Sequence, residues 1–299
     1  MEALKNIVVI YHGNCYDGFG AAWVAHKKFG NRASYVPQVY GGNKIIDRLE
    51  GKEVYIIDFT YSKEEMLDLE KKAKRLVVID HHLSSEYAVK SLKEYYFALN
   101  KSGCYLAFEY FFKDKKVPLL IQYISDSDTS IQEMSNYEEI CAYIYRDELD
   151  GVTFETFNKF EKELDSKKGF EKALEIGKIL RDIHTRRVYE YVEQANPISF
   201  CGYEVYAVNA PKEIRSELGY LLAQKSGKFA LVFFYEKGQW RCSLRSKNGI
   251  DVSKIAEKFG GGGNKHEASF VVKAEFPLHF NGVHKKKLSF LNAFVRASI

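Results

Sequence analysis

The sequence predicts an α/β chain in which a mostly parallel-sheet N-terminal domain is joined by a long helix to a smaller α/β C-terminal domain. Three observations carry that prediction. Apolar runs of strand length alternate with helix-like segments up to about residue 125. A long amphipathic stretch then runs from Phe170 to Gln194 and is stopped by Pro197. Beyond Pro197 the texture returns to short strand and helix signals.

The elements follow in order. Ile7-Val8-Val9-Ile10-Tyr11 is a strand-like run ending in His12-Gly13-Asn14-Cys15-Tyr16-Asp17-Gly18, after which Phe19 to Ala25 starts a helix expected to end near Gly30. Val54-Tyr55-Ile56-Ile57 runs into Asp58. Ser62, with Glu65 three residues later, reads as a capping box opening a helix to about Lys74. Leu76-Val77-Val78-Ile79 runs into Asp80-His81-His82, and four apolar residues in a row suggest a strand buried on both faces. Leu119 to Ile124 repeats the pattern, running into Ser125-Asp126-Ser127-Asp128. Strands and helices at these spacings imply βαβ crossovers. From about 102 to 195 the signal is helical, and the last helix sets Leu174, Ile179, Ile183, Val188 and Val192 roughly on one side. In the second region, Tyr203 to Val208 reads as a strand and Glu213 to Ala223 as a helix. Phe229 to Tyr235 and Trp240 to Leu244 form a hairpin, and Asp251 to Phe259 is a short helix before Gly260-Gly261-Gly262-Gly263. The expected domains are residues 1–185, with the helix continuing as a linker to about 196, and residues 198–299.

Bulk properties exclude several classes. A hydrophobic content of 46% and a charged content of 28% fit a soluble globular protein. The net charge of +4 makes no global demand for nucleic acid, so an anionic substrate needs a local basic patch. The five cysteines are scattered without a Cys-x-x-Cys pair, which argues for a reducing compartment and against structural zinc or a disulfide framework. The N-terminus lacks an extended apolar core after a basic start, and no run reaches the ~18 apolar residues of a membrane span. A cytoplasmic location is the expectation.

Asp80-His81-His82 is the most informative feature, because a carboxylate and two imidazoles at the end of a buried strand are costly unless used. If the first three strands are parallel neighbours, their C-terminal ends converge on the edge where open α/β sheets bind ligands. The cluster brought together is His12, Asp17, Asp58, His81 and Asp126, a set suited to one or two divalent ions. Asp126 is preferred to Asp128 because it comes first after its apolar run. His26, His184, His279 and His284 read as surface or core residues.

Taken together, these motifs resemble the DHH phosphoesterase superfamily, which includes the RecJ exonucleases, nanoRNases and family II pyrophosphatases. The second region resembles the DHH-associated domain with its glycine-rich GGGH loop. The resemblance spans nearly the whole chain and is nearest the oligoribonuclease or nanoRNase branch. It implies two divalent ions, most commonly Mn²⁺ with Mg²⁺ or Co²⁺ as alternatives, in the first domain. By position, His12 and Asp17 match ligands of the first motif, Asp58 a bridging ligand, His81 the imidazole ligand and Asp126 the carboxylate of the fourth motif. Asp80 would then orient an imidazole, and His82 would face the substrate phosphate.

Two positions depart from that pattern. Cys15 stands where many members have an aspartate ligand. A thiolate there would draw softer ions such as Co²⁺, Fe²⁺ or Zn²⁺; the alternative is a small buried cysteine beside a site with one ligand fewer. Asn264 follows the glycines in place of histidine, with His266 two residues on. Consecutive glycines let backbone N–H groups approach a phosphate, and Arg245 from a neighbouring strand supplies bidentate contacts to it. Gly261, Gly262, Gly263, Asn264, His266, Arg245 and His82 are therefore the expected substrate-binding residues.

The expected reaction is hydrolysis of very short RNA or linear dinucleotides to mononucleotides. The expected partners are that substrate and a second copy of the chain, with no membrane. The rivals are a RecJ-like single-strand exonuclease, a small-nucleotide phosphatase, and a degenerate member that binds nucleotides without turnover.

Overall fold

The computed structural model describes residues 3–147, 151–247 and 249–273. His279, His284 and the last part of the expected second domain lie outside these residues. The chain divides into two compact units, Met1–Arg181 and Asp182–Ile299.

The first unit is built on a five-stranded sheet in the order β2-β1-β3-β4-β5. Its strands are β1 (Ile7–His12), β2 (Ala33–Gln38), β3 (Glu53–Ile57), β4 (Arg75–Asp80) and β5 (Tyr95–Phe97), and every pairing is parallel. The apolar runs form strands because both faces are covered. Val9, Tyr55, Ile57, Val77 and Ile79 pack on one side against α1 (Tyr16–Phe29), α4 (Gly103–Phe111), α5 (Leu119–Asp128) and α7 (Phe154–Leu164). Their neighbours Val8, Ile10, Val54, Ile56 and Val78 point the other way, toward Met66 and Leu69 of α2 (Lys63–Lys72) and Val89 of α3 (Glu86–Val89). The capping box is present: Ser62 N–H donates to Glu65 Oε2 at 3.1 Å, and Glu65 N–H to Ser62 Oγ at 3.4 Å. β2 and β3 flank β1 on opposite sides, so the switch point of the sheet lies at the C-terminal end of β1, beside β3.

Two expectations are corrected. Leu119 to Ile124 is not another strand-like run but the first two turns of α5. Leu120, Ile121, Tyr123 and Ile124 are all buried, and a helix buried nearly all round gives the same continuous apolar string as a central strand. The helix α8 (Lys167–Gln194) does not keep one continuous apolar face either. Leu174 and Ile176 pack into the first unit and Val188 and Val192 into the second. Between them Ile179 and Ile183 are exposed, at the boundary of the two units. α6 (Tyr137–Ile144) completes the helices described in the first unit.

The second unit carries a six-stranded sheet in the order β10-β11-β9-β8-β7-β6. β7 (Tyr203–Asn209) and β8 (Phe229–Glu236) are parallel, and β8 and β9 (Gln239–Ser246) form the expected hairpin. Its two-residue loop, Lys237-Gly238, has positive φ at both positions, which matches the twist of the flanking strands. β6 (Asn196–Phe200), β10 (Gly262–Gly263) and β11 (Glu267–Val272) are added by the structure. One face of this sheet packs on α9 (Arg215–Ser226) through Ala230 and Val232. The other packs on α10 (Val252–Glu257) through Leu231 and Leu244. Among the described residues no helix is long and apolar enough to cross a membrane.

Candidate metal centre

The C-terminal ends of β1, β3 and β4 deliver the expected side chains to one place. β1 ends on His12, and the chain turns through Asn14, at φ 60°, into α1. Asp17, in the first turn of α1, is 1% exposed. Its carboxylate accepts the N–H groups of Gly103 at 2.7 Å and Cys104 at 2.9 Å, the opening residues of α4. The free N–H groups of a helix start favour a carboxylate. Two glycines make this approach sterically feasible: a Cβ on Gly18 would lie 2.1 Å from the His12 carbonyl oxygen, and one on Gly103 would lie 2.5 Å from Asp58 Cβ.

Asp58 follows β3 with φ 57°, a left-handed conformation that aspartate adopts more readily than most residues. Its two oxygens face different partners. Oδ2 lies 3.6 Å from His12 Nδ1, whereas Oδ1 lies 3.3 Å from His81 Nε2. His81 Nε2 is also 3.3 Å from Asp128 Oδ2 and 3.9 Å from Asp17 Oδ2. Both Asp58 Oδ2 and His81 Nε2 are buried without a hydrogen-bond partner. Buried polar atoms left in this state ask for a ligand, and carboxylates with imidazoles form a donor set that fits divalent cations. The ligand atoms of His12, Cys15 and Asp58 lie within 4.8 Å of one another, as do those of Asp17, His81 and Asp128.

Asp80 ends β4 fully buried and ties the Asp80-His81-His82 turn together. Its Oδ1 accepts the His81 N–H at 2.8 Å and lies 2.8 Å from His82 Nδ1, while Oδ2 accepts the Ser85 hydroxyl at 2.5 Å. A carboxylate on Nδ1 fixes the proton there and leaves Nε2 of the half-exposed His82 as the outward atom. Asp80 thus orients an imidazole, that of His82.

Of the two aspartates weighed at the end of α5, the structure brings Asp128 rather than Asp126 toward His81. Asp126 accepts the N–H groups of Glu133 at 3.2 Å and Met134 at 3.0 Å, closing the loop after α5, while Asp128 is the residue brought to His81. On a helix, residues two apart point about 200° away from each other, so only one of the pair can face the centre.

The charged groups act strongly on one another. Burial, then the nearby Asp58 and Asp128, push the Asp17 carboxyl up to about 7. Burial and Asp58 also raise Asp128. Burial opposes a charge on His81, yet Asp58, Asp17 and Asp128 outweigh it and hold the imidazole up at about 9. Burial works against Asp58 as well, but His12 and His81 keep its carboxyl below the usual range. Burial and then Asp58 push the Cys15 thiol up to about 12.

In the second unit, a cavity of 240 Å³ is lined by Arg215, Arg241, Ser243, Arg245, Gly262 and Gly263, among others. Arg245 is 6% exposed; it donates to Ser216 Oγ at 3.0 Å and to the Leu244 carbonyl at 2.9 Å, and its Nε lies 3.6 Å from Glu267 Oε1. A Cβ on Gly219 would meet Arg245 Cγ at 2.6 Å, so this glycine makes room for the arginine. Three expected residues are not part of the cavity lining. Gly261, just before β10, lets the chain approach β11, since a Cβ there would lie 2.2 Å from the Ser269 carbonyl oxygen. Asn264 Oδ1 accepts the N–H groups of His266 and Glu267 at 2.8 and 2.9 Å, closing a turn. His266 Nδ1 lies 3.2 Å from the Ser246 carbonyl oxygen. Gly18, Gly103, Arg215, Gly219 and Arg241 are additions that the sequence does not single out, and of these only Gly18, beside Asp17, carries a local signal; Asp128 is the alternative weighed against Asp126.

Residues 199–296 match the DHHA1 domain model. The chain is similar in fold to the DHH domain of a member of the s1p family of ribosomal proteins (TM-score 0.52, 14% identity, 98% of this chain and 86% of that one). A pGpG-specific phosphodiesterase, PggH from Vibrio cholerae, is similar in fold (TM-score 0.50, 12% identity, 90% of this chain and 94% of that one). An uncharacterized protein of Acanthamoeba polyphaga mimivirus is 30% identical over 288 residues, 87% of this chain. The alignment spans 66% of the viral protein's length. The fold is thus of the DHH type, and the second region matches the DHHA1 domain.

Proposed function

We infer that this protein is a divalent-metal-dependent phosphoesterase that hydrolyses short oligonucleotides and linear dinucleotides to mononucleotides. The observation that carries the reading is the arrangement around Asp58: a buried carboxylate with one oxygen toward His12 and the other toward His81, and with Asp17 and Asp128 within reach of that imidazole. His12, Asp17, Asp58, His81 and Asp128 would hold two ions, with Mn²⁺ expected. Such a pair supplies Lewis-acid activation of water and neutralises charge on phosphoryl oxygens. The chain's own groups do the rest. Asp17 is held by the start of α4, so it meets a cation already oriented. Its partnership with Asp80 raises the proton affinity of His82, which favours an imidazolium toward a phosphate oxygen or a leaving alkoxide.

The preference for short substrates rests on two supports. The Arg245 cavity of the second unit presents cationic donors suited to a phosphate group. A protein of similar fold is named for its action on pGpG. The test is hydrolysis of 5′-pApA, a pentamer RNA, long RNA, long DNA, cyclic di-AMP and pAp with Mn²⁺, Mg²⁺, Co²⁺ or EDTA. Metal-dependent turnover fastest on the dinucleotide and pentamer, abolished by EDTA and by Asp58→Ala, is the expected result. Faster degradation of long DNA points to a RecJ-like exonuclease. No turnover of any substrate by folded, metal-loaded protein overturns the enzymatic reading in favour of a nucleotide-binding one.

A further inference from the structure

We propose that the two halves of the centre take chemically different ions. The position bounded by His12, Cys15 and Asp58 Oδ2 would bind a thiophilic ion such as Zn²⁺ or Co²⁺, and the position bounded by Asp17, His81, Asp128 and Asp58 Oδ1 a hard ion such as Mn²⁺ or Mg²⁺. The proposal rests on the two-ion reading above and goes beyond it in making the pair unlike.

The two ligand groups differ in kind. One offers an imidazole, a thiol and a carboxylate oxygen within 4.8 Å of one another; the other offers an imidazole and carboxylates only. Thiolates select Zn²⁺ and other soft ions, whereas oxygen ligands suit Mn²⁺ and Mg²⁺. Cys15 occupies the cap position before α1, where its side chain makes no capping hydrogen bond. An independent observation points into the same space: Asp58 is 1% exposed, and its Oδ2, the oxygen on the His12 side, has no hydrogen-bond partner. The other cysteine near the centre, Cys104, is buried with its sulfur 3.3 Å from Ser102 Oγ and joins none of these ligand groups. On coordination the Cys15 thiol proton leaves to solvent and sulfur donates an electron pair to the ion.

Cobalt(II) titration of metal-free protein tests this, because a sulfur ligand gives thiolate-to-cobalt charge-transfer absorption in the near ultraviolet and oxygen or nitrogen ligands do not. The proposal expects that band in the wild type, its loss in Cys15→Ser and Cys15→Asp, and its retention in Cys104→Ala. Cys15→Asp is further expected to keep two bound ions, and after mixed Zn²⁺/Mn²⁺ loading the wild type to retain one zinc per chain where Cys15→Asp retains none selectively. Two cobalt ions bound without the band overturns the unlike pair and leaves the phosphoesterase reading standing. Failure of folded protein to bind cobalt overturns both.

Discussion

Replacing Gly103 with alanine tests whether the centre is shaped by backbone approach. The added Cβ would lie 2.5 Å from Asp58 Cβ and 3.0 Å from Asp17 Oδ2. Carbon atoms in contact sit at ~3.5–4.0 Å, so the start of α4 and Asp58 must part by about 1 Å or more. Gly103 is not among the positive-φ residues, so alanine brings no backbone conflict, and its helix propensity alone favours the variant. The net effect is therefore steric. Overpacking of this kind costs about 1–3 kcal/mol, which lowers Tm by roughly 2–12 °C in a unit of this size. The larger consequence is chemical, because a misplacement of ~1 Å in a catalytic group can cost about a hundredfold in rate. The assays are thermal unfolding with and without Mn²⁺ and hydrolysis of pApA, with Gly151→Ala, where a Cβ meets nothing within 4 Å, as the control. Wild-type turnover and metal affinity in Gly103→Ala would refute the idea that this close approach sets the positions of Asp17 and Asp58.

Other expectations can be checked in parallel. Asp128→Asn should abolish turnover and weaken ion binding with Tm in EDTA nearly unchanged. Asp126→Ala should keep the ion site but lose about 1–3 kcal/mol by leaving the Glu133 and Met134 N–H groups unpaired, so the reverse pattern on calorimetry and metal titration rejects the assignment. Asp17 at about 7 and His81 at about 9 both stand above their ordinary values of 3.8 and 6.5, so each stabilises the metal-free fold at low pH and loses that contribution as pH rises through the raised value. Asp58, held low, acts in the opposite sense only in more acidic solution. The Tm increment from Mn²⁺ should therefore grow between pH 5 and 9, with protons released on binding in calorimetry; an increment flat across that range contradicts the coupling. Arg245→Lys should raise KM for phosphate-bearing dinucleotides more than it lowers kcat, because the planar fork is lost while the charge remains. An unchanged KM would remove the cavity from substrate binding.

What the sequence made legible follows physical lines. Val8 to Ile10, Val54 to Ile57 and Val77 to Ile79 announce themselves because a strand covered on both faces tolerates only apolar residues. The polar residues that end those strands, His12, Asp58 and Asp80, inherit that clarity. The same logic misleads at Leu119 to Ile124, where a helix buried nearly all round imitates a strand. The order of Asp126 and Asp128 along the chain then says nothing about which one faces inward. Ile179 and Ile183 fit an apolar stripe, yet the stripe is shared between two units and lapses where one hands over to the other. Gly18, Gly103 and Gly219 are silent in the sequence because their role depends on an atom that arrives from elsewhere in the chain. Asn264 and His266 follow the glycines closely enough to look like ligands; in the fold Asn264 closes its own turn and the His266 ring lies against the Ser246 carbonyl of β9.

Position 58 is subject to two unrelated filters at once. Its backbone at φ 57° admits glycine, asparagine and aspartate cheaply and most other residues at a penalty. On the proposed two-ion reading its side chain must present two equivalent anionic oxygens toward different partners, which only a carboxylate does. Glutamate passes the second filter and fails the first; asparagine passes the first and fails the second. Aspartate alone lies in the intersection, so no substitution there is conservative, and drift that other buried sites absorb through a similar residue has no stepping stone at this one.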